Sequence, residues 1–206
     1  MRSSLIFVVA LAVGCGSSPP PPPRTTSATA PARVEPAARI AALGGSVTYD
    51  EAKRIVGVDL HETAITDDDL VVLRELADLV ELDLRKTPIT DAGIAHVAPL
   101  VKLRKLNVFR TKMTDRGLAR LSGLVELETL LMGGTLVTDE GMAELARFPK
   151  LRKLSVFDTQ IGDAGIAQLS RHRELRTLLV GKSRVTDQGT AELKAAIPDL
   201  SLSEVM

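Results

Sequence analysis

An α/β solenoid, with short parallel strands on one face and short helices on the other, is the fold class predicted by three features of this 206-residue sequence. Segments opening at Ile55, Leu79, Leu103, Leu127, Leu151 and Leu175 repeat the same apolar and polar positions at a spacing of 24 residues. The first half of each segment alternates. In Leu79-Val80-Glu81-Leu82-Asp83-Leu84, Leu82 and Leu84 share one face of a strand, while Glu81, Asp83 and Arg85 take the other. The second half has helical spacing instead, as with Ile94, Val97 and Leu100 in the second unit. A stack of such units presents an extended surface rather than a central pocket.

Taken from its start, the chain divides into three expected parts: residues 1–14, 15–36 and 37–206. Met1 to Ser4 carries Arg2, Leu5 to Val13 is continuously apolar, and Ala12-Val13-Gly14 places small residues before Cys15. That is the layout of a secretory signal, too short to cross a bilayer as a helix of ~20 residues. The ending LAVGC resembles the lipobox of bacterial lipoproteins, with Ala12 standing where Leu is commonest; the alternative is an ordinary cleaved signal with an incidental cysteine. The resemblance implies that Cys15 is acylated and becomes the N-terminus. Gly16, in place of the Asp that retains such proteins in the inner membrane, implies outer-membrane sorting. Cys15 is the only cysteine, so an internal disulfide and a cysteine-rich zinc site are both excluded.

Gly16 to Pro36 includes five consecutive prolines, Pro19 to Pro23, and scarcely a large apolar side chain. Such a stretch buries too little surface to fold and favours extended polyproline geometry, a tether rather than a domain. At ~3.1 Å per residue it spans up to roughly 60 Å. Ala37 to Leu43 then has helix-forming composition and stops at Gly44-Gly45. Ser46 to Tyr49 and Ile55 to Leu60 read as two strands joined around Asp50 to Arg54. This helix and hairpin are expected to cover the open apolar end of the stack.

Within the repeats, Leu82 and Leu84 have core counterparts at Val58 and Leu60, Leu106 and Val108, Leu130 and Met132, Leu154 and Val156, and Leu178 and Val180. Each helical half starts at Thr66-Asp67, Thr90-Asp91, Thr114-Asp115, Thr138-Asp139 or Thr186-Asp187; Gly162-Asp163 breaks the pair once, so the Asp is expected to be the constant helix cap or dipole partner. Gly93, Gly117, Gly141, Gly165 and Gly189 follow two residues later, where they are expected to permit close backbone approach. Asp69 takes that place in the first unit. Asp67-Asp68-Asp69 lacks the Gly and Glu of a calcium loop, so it is read as a solvated helix start.

These units resemble bacterial leucine-rich repeats of the TDxGL kind, close to the ribonuclease-inhibitor-like and cysteine-containing subtypes, over about Ile55 to Pro198. The resemblance implies a horseshoe segment with strands on the concave face and helices on the convex one. A departure is that Thr63, Thr87, Thr111, Thr135, Thr159 and Ser183 stand where many family members stack Asn or Cys. A ladder of hydroxyls bonding neighbouring backbone is the expected substitute. Leu200-Ser201-Leu202 reads as one last short strand.

The balance of 26 basic and 26 acidic residues gives no support to electrostatic capture of nucleic acid. Nor do the three histidines, His61, His96 and His172, gather with a nucleophile in the repeat register; neither a phosphate loop nor zinc spacing occurs, and no cofactor or metal is expected. His172, at a position filled elsewhere by Leu or Phe, reads as a packing residue.

The chain is therefore expected to be non-catalytic, a protein-interaction module binding an unidentified protein through the concave face; the alternative is a structural envelope component without a discrete client. Candidate contacts come from an alternation between units. LRKLNVF from Leu103 matches LRKLSVF from Leu151, and LETLLMG from Leu127 matches LRTLLVG from Leu175. This puts Phe109 and Phe157 two strands apart, roughly 10 Å, with Gly133 between them. Phe109, Leu131, Phe157 and Leu179 are the expected centre of a binding patch, with Arg85, Lys105, Arg110, Lys153, Asp158 and Lys182 as its charged rim. The competing reading is that duplication copied these residues and the rings fill space beside the glycines.

Overall fold

A computed structural model describes residues 35–204. The expected signal, Cys15 and nearly all of the tether lie outside the described residues. Helix α1 (Pro36–Ala42) starts on a proline and buries Ile40. Strands β1 (Ser46–Tyr49) and β2 (Ile55–Asp59) pair antiparallel, with a register shift between Thr48 and Tyr49. From β2 onward every pairing is parallel, through β3 (Glu81–Asp83), β4 (Lys105–Asn107), β5 (Thr129–Leu131), β6 (Lys153–Ser155), β7 (Thr177–Leu179) and β8 (Ser201–Ser203). Among the described residues these form one eight-stranded sheet in sequence order. Each strand is in register with the residue 24 positions on, so Leu82 lies beside Leu106 and Leu106 beside Leu130.

The expected core is the observed one. Leu82, Leu106, Leu130, Leu154 and Leu178 are at most 2% exposed, and Ile94, Val97 and Leu100 close over them from the other layer. Each such leucine contributes about 1.5–3 kcal/mol relative to leaving it in water. The segments opposite the strands are shorter and more varied than the spacing suggests. Helices α2 (Asp91–Ile94), α3 (Asp115–Arg120), α4 (Asp163–Ala167) and α5 (Asp187–Ala196) are α-helical, whereas Asp67–Glu75, Gly141–Arg147 and Gln168–Arg171 are 3₁₀ turns. A spacing of three to four apolar residues suits either form, so the sequence does not separate them.

The hydroxyl ladder is present and bonds within its own unit. Thr63, Thr87, Thr111, Thr135 and Thr159 each donate to the carbonyl three residues back, at 2.6–2.9 Å, and Ser183 does the same to Val180.

The repeated Thr-Asp pair works differently from its sequence reading. In α2, α3 and α5 it is the threonine that caps, Thr90, Thr114 and Thr186 accepting a helix N–H. The aspartate reaches across to the next unit. Asp67 accepts from the backbone N–H and hydroxyl of Thr90, at 2.8 and 2.5 Å, and Asp91 bonds Thr114, Asp115 bonds Thr138 and Asp163 bonds Thr186 in the same manner. Where Gly162 replaces the threonine, Asp139 keeps only the backbone N–H, at 2.7 Å.

The glycines two residues further on make room for that carboxylate. A Cβ at Gly93, Gly117, Gly141, Gly165 or Gly189 would lie 2.1–2.4 Å from the Oδ1 of the preceding unit's aspartate. The first unit has no preceding carboxylate to admit, and Asp69 stands in the glycine position. Its own carboxylate takes the N–H and hydroxyl of Thr66, both at 2.7 Å, replacing within one unit the bond that elsewhere joins two.

Acid should loosen this arrangement. The backbone N–H of Thr66, then its hydroxyl, hold the Asp69 carboxyl below its ordinary range, and those of Thr186 do the same for Asp163. A carboxyl that is harder to protonate folded than unfolded contributes stability that is complete above its unfolded pKa and is lost as pH falls through its folded one. Unfolding free energy measured by urea titration is therefore expected to stay level from about pH 7 to 5 and to fall below about pH 4. A midpoint unchanged down to pH 3 would contradict it.

Candidate interaction face

Three rows of side chains run across the sheet on the side away from the core. One comprises Glu81, Lys105, Thr129, Lys153 and Thr177; a second Asp83, Asn107, Leu131, Ser155 and Leu179; a third, just past the strands, Arg85, Phe109, Gly133, Phe157 and Gly181. Polar members of the second row fix the chain where it leaves the strand. Asp59 accepts the N–H of His61, Asp83 that of Arg85 and Asn107 that of Phe109, at 2.9–3.1 Å.

One residue later the backbone turns into the left-handed region, with φ of 56–57° at Glu62, Lys86, Arg110, Asp158 and Lys182, and a glycine only at Gly134. A non-glycine residue costs about 1–2 kcal/mol there. The turn lays two of these side chains over aromatic rings: the Arg110 guanidinium is 5.1 Å from the Phe109 centroid and the Lys182 ammonium 5.6 Å from that of Phe157.

The four expected apolar anchors are neighbours, but unequally available. Leu131 and Phe157 are half-buried, whereas Phe109 and Leu179 are each only 7% exposed. The cause is lateral packing. Phe109 lies over the backbone of Gly133, where a Cβ would come within 3.1 Å of its ring and 2.6 Å of the Phe157 carbonyl oxygen. With strands ~4.8 Å apart, a ring beside a glycine fills its neighbour's vacant space instead of projecting. To this extent the glycine-filling reading describes Phe109.

The charged rim divides into two halves. Toward β2 the charges are paired: His61 Nδ1 lies 2.6 Å from Asp59, Lys86 reaches Glu62, Lys105 is 2.6 Å from Glu81 and Arg85 is 3.6 Å from Asp83. Burial pushes the Asp59 carboxyl up, but the His61 N–H and ring outweigh this and hold it below its ordinary range. Asp59, Glu81, Asp83, Arg85 and Lys105, with Asn107, Thr129 and Leu131, line a trough of about 440 Å³. Toward β7, Arg110 is 3.9 Å from Asp158, and Lys153 has no carboxylate within ion-pair distance among the described residues. Lys182 likewise has only the Phe157 ring.

The uneven pairing was not drawn from the sequence, though the 24-residue register carries its signal. Glu81 stands one unit before Lys105, while Lys153 stands between Thr129 and Thr177.

The histidines stay apart in role. His61 joins Asp59 on the sheet face, while His172 is 8% exposed, with Nε2 at 2.8 Å from the Leu145 carbonyl. Its packing role agrees with the sequence reading. Among the described residues no three His, Cys, Asp or Glu side chains gather as metal ligands, and no helix is long and apolar enough to cross a membrane.

Comparison with known proteins bears on the architecture. Residues 76–98 and 149–170 match the family model described as Leucine Rich repeat. No curated protein matches the chain. Among solved structures, internalin C2 of Listeria monocytogenes is similar with a TM-score of 0.59 at 20% identity, over 82% of this chain and 80% of that one. The internalin InlF of the same organism gives 0.56 at 18%, over 82% of this chain and 55% of its own. The leucine-rich-repeat ectodomain of the Arabidopsis receptor kinase HAESA, solved in complex with an N-terminally extended IDA peptide hormone, gives 0.56 at 16% identity. It shares 76% of this chain and 27% of its own length. The repeat matches and the parallel sheet in 24-residue register agree: the chain folds as a leucine-rich-repeat solenoid.

Proposed function

We propose that this chain is a non-catalytic protein-interaction module, held on a bacterial outer membrane as a lipoprotein acylated at Cys15, and that it binds its partner through the sheet face. The observation that carries the reading is the half-buried pair Leu131 and Phe157, left on a sheet face that the core does not use. Large apolar side chains with charged neighbours are what a protein interface buries. The HAESA ectodomain, a structural neighbour, is itself in complex with a peptide hormone. In this reading Phe109 and Leu179 support the patch from beneath, and Arg85 and Arg110 border it.

A photo-crosslinking residue at Leu131 tests the contact in living cells. Gly133, central in the row, is unsuitable because any Cβ there meets the Phe157 carbonyl. A discrete protein adduct is expected from Leu131 and none from a control at Val101, which is more exposed than Leu131 and lies outside the strands. Equal labelling from both sites would remove the reading. The same cells supply mature protein for intact-mass measurement, where acyl mass on Cys15, absent from Cys15→Ser, is expected; an unmodified chain starting elsewhere would defeat the anchor.

A further inference from the structure

We infer that the partner segment is an acidic, apolar, extended peptide and that it lies across β5 to β7, on the later half of the sheet face. This rests on the reading of that face as a protein-binding surface and specifies what the surface selects.

The argument is one of charge left over. In the earlier half every cation of the face has its own carboxylate: Lys86 has Glu62, Arg85 has Asp83 and Lys105 has Glu81. A ligand approaching there must displace an internal ion pair to make an external one, and gains little by the exchange. In the later half Lys153 and Lys182 have no such partner among the described residues. The two flank the apolar row from opposite ends of the strands, Lys153 at the start of β6 and Lys182 beyond β7, in the left-handed turn. Between these two ends lie Leu131 and Phe157, and the hydroxyl-bearing Thr129 and Thr177 stand on either side of Lys153, all four half-buried.

A segment crossing the strands here would meet apolar surface under its centre and an ammonium on either side. An extended chain that carries a carboxylate before and after each apolar residue answers that pattern, the apolar side chains covering Leu131 and Phe157 and the flanking carboxylates reaching the two ammonium groups. The ring of Phe157 holds the Lys182 ammonium over its face, so a carboxylate arriving there meets a cation already positioned. A basic peptide would instead bring like charge against both lysines. A highly charged polymer without apolar groups would leave Leu131 and Phe157 uncovered.

Fluorescence anisotropy of the purified domain with three labelled peptides of about a dozen residues tests this directly: alternating Glu-Leu, alternating Lys-Leu and alternating Glu-Ser. Saturable binding of the Glu-Leu peptide is expected, at least tenfold tighter than either of the others and weakening as salt is raised. The double variant Lys153→Glu/Lys182→Glu should lose at least tenfold, while Lys86→Glu/Lys105→Glu should bind as the unaltered protein does. These four lysines are exposed, so circular dichroism and thermal melting should show all variants folded.

Preference for the Lys-Leu peptide, or equal affinity for Glu-Leu in the Lys153/Lys182 variant, would overturn the assignment. Equal binding of Glu-Ser would show a general polyanion site and overturn it as well. Those failures are separable from failure of the interaction face itself, because a protein crosslinked from Leu131 whose yield is unchanged by Lys153→Glu/Lys182→Glu refutes the acidic segment alone.

Discussion

Replacing Gly117 with alanine is expected to lower the unfolding free energy by about 2–4 kcal/mol, more than a glycine-to-alanine change near a helix start would suggest. By helix propensity alone the substitution should stabilise α3 by roughly 1 kcal/mol. The space decides the sign. The new methyl group would lie 2.4 Å from Asp91 Oδ1 and 2.6 Å from Met113 Cγ, and it displaces the carboxylate that holds the Thr114 N–H and hydroxyl. For a chain of this length that loss corresponds to roughly 5–15 °C in the thermal midpoint. The contact can be isolated with a double-mutant cycle. Asp91→Ala removes the obstacle, so adding Gly117→Ala to it should cost much less than in the unaltered protein. Simple additivity of the two substitutions would show that the carboxylate is not what the glycine accommodates.

The other large effect is expected at Phe148, the bulkiest of the fully buried side chains and 0% exposed. It stands where other units carry Leu76, Leu100 or Leu124. Phe148→Ala should cost about 3–5 kcal/mol, through lost burial and a cavity that the surrounding leucines close only in part. Phe148→Leu restores the residue that this place holds in its neighbours and should cost about 1 kcal/mol. Urea unfolding of both variants checks the pair. A cost for Phe148→Ala below about 1.5 kcal/mol, or equal costs for the two, would mean that this layer is not packed tightly around the ring.

Much of the fold could be read from the sequence because a repeat states its geometry several times. Leu82 and Leu84 and their counterparts declared the core face by alternation, Gly44-Gly45 marked the end of the covering helix, and Thr63 with its successors declared a bonding ladder. What stayed hidden lies between units. Asp91 is adjacent to Thr90 in the chain, so it reads as a cap for its own helix, yet its acceptors face Thr114, 23 residues on. Only the distance across the gap between layers shows which is served.

The candidate face was legible as a row of positions but not in its exposures. Phe109 alternates as an outward residue, and its burial follows from what a glycine on the next strand leaves empty. Arg85 likewise reads as a free rim charge until the turn at Asp83 brings the carboxylate alongside.

The aspartate-to-threonine bond between successive units gives the solenoid a grammar of joints. Every interior unit carries a plug for the unit after it and a socket for the one before, and the two lie in the same short stretch, Thr-Asp (Gly-Asp at Gly162) with a glycine two residues on. A whole unit inserted or removed therefore leaves the remaining joints matched, whereas a change that cuts within one strands a plug or a socket. Chain length becomes something that copying can vary without a new contact having to arise. The paired likeness of the third and fourth units to the fifth and sixth is what such interchangeable parts permit.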